Sequence, residues 1–247
     1  GDAKTTAKVS IQLSGESGAI VSQLLVIVSS NSGMRTCARF NKETLEKLNN
    51  PSIKDLFGAG RILFTVDFEK DDRPYQAIVE LKKDTLTESF LHYVHQSDQI
   101  PTTLSVFVGN ERSAEKRVAC ALVVQQLPMP HILPEERENR IDQWSAVLSY
   151  MKTLKAEEAL DDTLSAENLL FRLFNEADLV LYTKNTFKFS CECSMDKIKK
   201  IIQSFKEEDL ENLFVDGTLY GDCEFCEKRY SFTKKNLEEA KIKKEHL

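Results

Sequence analysis

Four cysteines in the C-terminal part of the chain constrain its fold more than any other feature. They form two close pairs, Cys191 with Cys193 and Cys223 with Cys226, and twenty-nine residues lie between the pairs. Two close pairs at such a separation are typical of a four-thiolate metal site. Four sulfur ligands favour zinc over hard cations. The spacing therefore predicts that these four residues form a tetrahedral Zn²⁺ site.

The sequence around the first pair favours a β-strand. Apolar and polar residues alternate here, so four side chains would share one face: Phe187, Phe189, Cys191 and Cys193. On such a strand the Cα atoms of Cys191 and Cys193 lie about 6.6 Å apart, near the upper limit for a disulfide. The second pair forms a Cys-x-x-Cys turn. Two alternatives to a metal site remain: four reduced, buried cysteines, or permanent structural disulfides.

Composition and charge argue against several classes of protein. A formal net charge of −6 disfavours a general nucleic-acid binder or a protein that binds anionic membranes. The longest apolar run, residues 19–28, is interrupted by Ser22 and Gln23, so it predicts a strand and not a membrane span. Because metal thiolates need a reducing compartment, we expect a cytoplasmic protein, with an organelle interior as the alternative.

We expect no enzymatic activity. The four histidines form no metal-binding or catalytic spacing: His92, His95, His131 and His246. The sequence has no glycine-rich phosphate-binding loop, so it does not predict an ATP-driven machine.

The residue pattern predicts an α+β protein with three regions. Residues 1–128 indicate a mostly antiparallel β-sheet domain with helices, one of which begins near Thr85 or Thr87. Prolines then punctuate the chain, and residues 129–183 indicate a helical linker. Residues 184–247 indicate a small zinc-binding α+β module. Such a module buries little apolar surface, so we expect it to fold with metal and to unfold without it.

Local signals place helices and a hairpin in the last two regions. An apolar stripe at near-heptad spacing predicts a first linker helix: Ile141, Trp144, Leu148 and Met151. Ser165 caps a second helix over 166–175, and Ser194 caps a helix in the module. Residues 219–232 predict a β-hairpin with the second cysteine pair at its turn. The linker is either an ordinary helical subdomain or a weakly docked, metastable segment that can be released.

These features resemble the zinc redox switch of the heat-shock protein 33 family, the redox-regulated holdase chaperones. The resemblance rests on four features: the Cys-x-Cys at 191–193, the twenty-nine residues that follow it, the Cys-Glu-Phe-Cys at 223–226 and the Tyr-Ser-Phe-Thr at 230–233. Four segments of the first half are also similar: 60–66, 74–75, 97–102 and 126–128. The resemblance covers nearly the whole chain, and the cysteine pattern is its specific part. Bacterial members carry a helical segment before the first strand, and this sequence departs from them there.

The resemblance implies an ATP-independent chaperone that binds unfolding proteins under oxidative stress. Oxidation would release zinc, form the Cys191–Cys193 and Cys223–Cys226 disulfides, and unfold the module and the linker. The neighbouring pairs also have the shortest loops to close. The implied partners are unfolding client proteins and, in the oxidised state, a second copy of the chain. No nucleic acid and no membrane is expected as a partner.

A different class of function stays open, namely a constitutive structural zinc-ribbon protein that acts as an interaction module. A ribbon that binds nucleic acid is disfavoured, because no basic patch interleaved with aromatic residues occurs. Cys37 and Cys120 lie outside the switch, each on a predicted strand. We interpret each as a small buried hydrophobic residue, with an auxiliary redox role as the alternative.

Overall fold

The computed structural model describes residues 7–30, 33–68, 73–97, 100–110, 117–128 and 134–237. The elements before residue 128 are mostly strands: β1 (Ala7–Ser14), β2 (Val21–Ser29), β3 (Gly33–Phe40), α1 (Lys42–Leu45), α2 (Ile53–Phe57), β4 (Arg61–Phe68), β5 (Tyr75–Glu80), α3 (Leu86–Ser97), β6 (Thr102–Asn110) and β7 (Arg117–Gln125). The later elements are mostly helices: α4 (Pro134–Thr153), α5 (Ala156–Ala159), α6 (Ala166–Leu173), β8 (Lys188–Phe189), α7 (Met195–Ile202), α8 (Glu207–Glu211), β9 (Thr218–Asp222) and β10 (Arg229–Thr233).

A six-stranded sheet, which we call the large sheet, organises the N-terminal half. Its strand order is β5-β4-β1-β2-β3-β8, and every pairing is antiparallel except that of β3 with β8. Leu13 pairs with Leu24 on one side and Ile62 on the other, so apolar residues of neighbouring strands share a face. This face forms the first core, whose buried members are Leu13, Val21, Phe57, Ile62, Phe64, Val79 and Leu81.

Two capped helices close this core. The α3 helix begins after Thr85, whose hydroxyl accepts a hydrogen bond from the backbone N–H of Glu88 at 3.1 Å. Its Tyr93 stacks on the Phe64 ring with 4.6 Å between ring centroids. The short α2 helix begins at a capping box between Ser52 and Asp55. The predicted start of α3 is confirmed, whereas α1 and α2 were not predicted.

The linker helices pack on a separate two-stranded sheet formed by β6 and β7. The buried members of this second core come from α4, α6 and the residues that follow these helices: Met151, Leu154, Leu173 and Phe174. Phe107 and Leu122 of the β6–β7 sheet pack against them. Ser165 caps α6 by accepting a hydrogen bond from the backbone N–H of Asn168 at 3.2 Å, as predicted. The predicted apolar stripe holds only in part, because Ile141 is 60% exposed.

The C-terminal residues 188–237, which we call the cysteine module, form a third core. The β9–β10 hairpin packs against α7, which begins at the predicted cap Ser194. Gly221 of β9 allows this approach, because a Cβ atom there would lie 3.1 Å from Cγ2 of Ile198. The mixed α+β class with mainly antiparallel sheets is thus confirmed. The division of the chain at residues 128 and 183 stays a prediction.

Candidate metal centre

The second cysteine pair lies at the turn of the β9–β10 hairpin, as predicted. Cys223 follows the last residue of β9, and its N–H donates to the carbonyl of Lys228 at 3.0 Å. Its own carbonyl accepts the N–H of Glu227 at 2.7 Å. Glu227 has a φ of 59°, a left-handed conformation that reverses the chain. These bonds fix the backbone on both sides of the two sulfur atoms.

The first cysteine pair lies beyond the end of β8, which corrects one prediction. The strand β8 contains only Lys188 and Phe189, and it ends before Cys191. The prediction that one strand continues through Cys191 and Cys193 is therefore wrong. The chain leaves the sheet here because α7 starts at once after Ser194 and both sulfurs turn towards the hairpin.

The fold brings all four predicted cysteines together. Their sulfur atoms all lie within 4.8 Å of one another. The shortest separations join the two pairs, with 3.6 Å from Cys191 to Cys223 and 3.4 Å from Cys193 to Cys226. Zinc–sulfur bonds of about 2.3 Å in a tetrahedron separate the sulfurs by roughly 3.8 Å. The donor set and its spacing thus fit a tetrahedral zinc ion.

The four cysteines are part of the core of the cysteine module. Cys223 is buried together with Ile202, Leu219, Tyr230 and Phe232, and the other three cysteines pack against this group. Phe232 is 1% exposed. A change in the state of the sulfurs must therefore change the packing of the module.

Hydrogen bonds distinguish the protonation of the individual sulfurs. The Tyr230 hydroxyl donates to Cys193 Sγ at 3.1 Å. This bond and those from the neighbouring cysteines lower the pKa of Cys193 to about 6. Burial instead raises the pKa of Cys191 to about 12. The bond to Cys193 likewise raises the pKa of Tyr230 to about 12, so this hydroxyl stays a donor at neutral pH. The sequence analysis used Tyr230 only as part of the family resemblance and missed its hydrogen bond to a cysteine sulfur.

The acidic residue inside the first cysteine pair contacts basic side chains outside it. Glu192 lies 3.3 Å from Lys8 of β1, 3.6 Å from Arg35 of β3 and 3.8 Å from Lys197 of α7. The hydrogen bond from Lys8 and the charges of the other two lower the pKa of Glu192. Two of these contacts join the cysteine module to the large sheet.

The turn between Cys223 and Cys226 also contacts β3, the strand that carries Arg35. Glu224 accepts hydrogen bonds from Arg39 at 2.9 Å from Nε and 2.5 Å from Nη2. The Arg35 guanidinium lies over the Phe225 ring, 4.8 Å from its centroid. We call these contacts of Arg35 and Arg39, together with that of Lys8, the β3 interface. Sequence reasoning missed it, since nothing in the local pattern links residues this far apart in the chain.

The remaining candidate residues lie outside the cluster. Cys37 and Cys120 are half-buried and free. Burial is the main cause of the raised pKa of Cys37, and the charge of Glu224 adds to it. His92 and His95 lie on α3, whereas His131 and His246 fall outside the described residues. In the described part of the chain, no helix combines the length and the apolar character needed to span a bilayer.

The fold and the site together define the class: an α+β protein whose C-terminal module carries a four-cysteine candidate metal centre. The family model described as "Hsp33 protein" matches residues 1–233. The chain therefore belongs to the Hsp33 family, which is a family of molecular chaperones, and the resemblance found in the sequence is confirmed.

Individual relatives agree with this assignment. The chain is 30% identical to the 33 kDa chaperonin of Neisseria meningitidis over 94% of its own length and 71% of that protein. It is 32% identical to the 33 kDa chaperonin of Pseudomonas fluorescens over 86% of its own length and 67% of that protein. The crystal structure of the 33 kDa chaperonin from Thermotoga maritima has the same fold, with a TM-score of 0.73 at 19% identity. That match covers 98% of this chain and 80% of the other.

Proposed function

We propose that this chain is a redox-regulated, ATP-independent holdase that binds unfolding proteins under oxidative stress. One observation carries the proposal: the four cysteine sulfurs lie within 4.8 Å of one another inside the core of the module. Oxidation of these sulfurs therefore acts on the fold of the module itself. Membership of a chaperone family supplies the class of function that such a change would control.

In the reduced chain, Cys191, Cys193, Cys223 and Cys226 would hold one Zn²⁺ ion. Bound zinc would keep the four sulfurs as thiolates, the form that oxidants attack. Tyr230 orients Cys193 through its hydroxyl, and the hairpin turn fixes Cys223. An apparent binding free energy of about 10–16 kcal/mol, as in small zinc domains, would decide whether a module of this size folds.

Oxidation removes the ligand set. Two thiolates give up two electrons to form one disulfide, and one hydrogen peroxide molecule accepts these electrons together with two protons from the solvent and becomes two water molecules. We propose the bridges Cys191–Cys193 and Cys223–Cys226, since each closes the shortest loop. The shortest sulfur separations in the folded site cross between the pairs, and the other separations are at most 4.8 Å, so the proposed bridges require the sulfurs to exchange their nearest neighbours. Peptide mapping of the oxidised chain tests this pairing.

The structural consequence would differ among the three proposed regions. Residues 184–247 would unfold on oxidation, and residues 129–183 would loosen as a metastable linker. Residues 1–128 would keep the core of the large sheet, which contains no cysteine of the cluster. Hydrogen exchange before and after peroxide treatment tests this division, and unchanged protection across 135–175 would contradict the release of the linker.

An aggregation assay tests the function directly. A thermally unfolding client is heated with the reduced, zinc-loaded chain or with the oxidised chain, both without ATP. We expect suppression of light scattering by the oxidised chain and little by the reduced one. Equal suppression in both states would instead favour the constitutive zinc-ribbon interaction module. Strong affinity for duplex DNA at physiological salt would favour a nucleic-acid binder.

The same proposal covers partners and compartment. The clients are unfolding proteins, recognised without nucleotide hydrolysis, and the thiolate site requires a reducing compartment such as the cytoplasm. The oxidised chain is proposed to form a homodimer. Light scattering coupled to size-exclusion chromatography, on the reduced and the oxidised chain at equal concentration, tests this state. An unchanged molar mass would remove the homodimer from the proposal.

A further inference from the structure

We propose that the outer edge of β3 is a docking site for an extended segment of an unfolding polypeptide. When the cysteine module is folded, it occupies this edge. The inference rests on the proposed holdase function and adds to it the surface and the chemistry that a client would meet. It follows from three properties of the β3 interface: backbone pairing, charge and an unpaired donor.

The first property is the way the module pairs with the sheet. β8 adds to β3 as a parallel strand, and the N–H of Ser190 donates to the carbonyl of Met34 at 2.9 Å. Backbone direction alternates along a strand, so Thr36 and Ala38 present their polar groups to the same edge. β8 pairs with only the first two residues of β3. An extended segment from another chain can use the same edge by strand addition.

The second property is the charge on one face of this strand. Arg35 and Arg39 lie on the same face, and they contact the module through carboxylates of both cysteine pairs. Arg35 also stacks on an aromatic ring of the module. The module thus offers β3 an extended Phe-x-Phe strand, two carboxylates and an aromatic ring. An unfolded segment with aromatic and acidic side chains presents the same groups.

The third property is a donor that the module leaves without an acceptor. The Nε atom of Arg35 is buried and has no hydrogen-bond partner among the described residues. Beyond Met34, the edge of β3 borders a cleft of about 480 Å³, lined by Ala38 and Arg39 and by the turn that carries Glu224. The module therefore covers this edge incompletely. A client that places an acceptor beside Arg35 gains a hydrogen bond that the module does not supply.

In the reduced chain, the chain's own cysteine module therefore occupies the edge of β3. In the oxidised chain, a segment of a client occupies it instead. A covalently attached competitor acts at a high effective concentration, so the folded module keeps a client off this edge. Once the module unfolds, the edge and both arginines are open to a client.

A peptide that copies the module probes this site. The probe is a fluorescein-labelled copy of residues 179–193 in which serines replace Cys191 and Cys193. Fluorescence anisotropy measures its binding to the full chain, either oxidised with peroxide or reduced and zinc-loaded. We expect saturable binding to the oxidised chain and binding about ten-fold weaker or more to the reduced chain, because the tethered module competes.

Two variants locate the binding on β3. Thr36→Pro removes a donor at the outer edge and leaves the pairing with β2, so the oxidised variant should lose most of its affinity. Arg35→Glu should weaken binding about five-fold, and a peptide with Lys in place of Glu192 should restore it. The matched control is Arg61→Gln with Lys83→Gln, which removes two positive charges at the far end of the large sheet and should leave binding unchanged.

The outcomes separate this inference from the proposed function. Absence of saturable binding, or binding that neither Thr36→Pro nor Arg35→Glu alters, overturns the β3 site. Suppression of aggregation by the oxidised Thr36→Pro variant, at the level of the unaltered chain, also overturns it and leaves the holdase function standing. If the oxidised, unaltered chain fails to suppress aggregation, the holdase function fails whatever the peptide does. The peptide with Lys in place of Glu192 tests the site on the Arg35→Glu variant, so this test remains valid even if Thr36→Pro does not fold.

Discussion

The large sheet and the cysteine module close their cores by different means. The core of the large sheet consists of aliphatic and aromatic side chains from four strands and two helices, with Phe64 stacked on Tyr93. The core of the module is smaller, and four sulfur atoms complete it. Full burial of one large apolar side chain contributes about 1.5–3 kcal/mol. The sheet core contains none of the four clustered cysteines, whereas all four are part of the module core, and cysteine sulfurs are groups that an oxidant can change.

Removal of a metal ligand should have the largest effect, because it should unfold the module while the large sheet stays folded. Cys223→Ser should unfold the module and leave the large sheet folded, since a zinc site contributes about 10–16 kcal/mol to small domains. Hydrogen exchange should show lost protection over residues 191–233 and retained protection over 7–81. Cys120→Ser is the matched control, because Cys120 lies on β7 and outside the cluster. Retained protection in the module of Cys223→Ser would refute its dependence on the sulfurs.

Truncation of one buried aromatic residue in each core should have the next largest effect. Phe64→Ala and Phe232→Ala should each cost about 3–5 kcal/mol, because both leave a cavity. Phe64→Ala should lower the unfolding temperature of the sheet while the reduced chain keeps its zinc. Phe232→Ala should lower zinc content and leave the unfolding of the sheet unchanged. Loss of zinc in both variants would show that the two cores unfold as one unit.

Removal of the hydrogen bond to Cys193 should have a smaller effect. Tyr230→Phe should weaken zinc affinity about ten-fold, as is typical when a partner of a metal ligand is lost. The pKa of Cys193 lies at about 6, below that of an ordinary thiol, so protons displace the metal from this sulfur only in acid. Without the hydroxyl the pKa rises, and zinc release should begin at a higher pH.

A chelator competition across pH measures this shift. Tyr220→Phe provides the control, since Tyr220 lies on the same hairpin and is 53% exposed. Equal zinc affinity and equal pH profiles for Tyr230→Phe and the unaltered chain would contradict the role of this hydroxyl.

The ion pair between Arg39 and Glu224 should have the smallest effect on stability. Both side chains are at least half exposed, and such pairs contribute about 0.2–1 kcal/mol. A double-mutant cycle with Arg39→Gln and Glu224→Gln, read by the protease sensitivity of the reduced module, measures the coupling. A cycle on Arg229 and Asp222, a pair inside the module, is the control. If the coupling energy of Arg39 and Glu224 is no greater than that of the control pair, the β3 interface does not depend on this contact.

Much of the candidate site could be predicted from local sequence. The cysteine spacing, the cap at Ser194 and the hairpin around Cys223 each follow from a few adjacent residues. The same holds for the start of α3 at Thr85 and of α6 after Ser165. In each case one short-range hydrogen bond or one turn decides the structure.

Other features needed information that no short segment contains. The α2 helix has five residues, too few for a helical period, and only the Ser52–Asp55 box marks it. The alternation of apolar and polar residues extends to Cys193, yet β8 ends at Phe189, because the sulfurs of Cys191 and Cys193 must reach the hairpin. The contacts of Arg35 and Arg39 with the module depend on tertiary structure, and their residue types alone indicate a solvated strand.

The separation of the β3 interface along the chain has a consequence for synthesis. Arg39 and Glu224 are 185 residues apart, so β3 leaves the ribosome long before the module that covers it. At about 5–20 residues per second, the interval is roughly 10–40 s. During this time the edge of β3 is uncovered in a chain that has never met an oxidant. Every newly made copy would therefore expose this edge before the module folds over it.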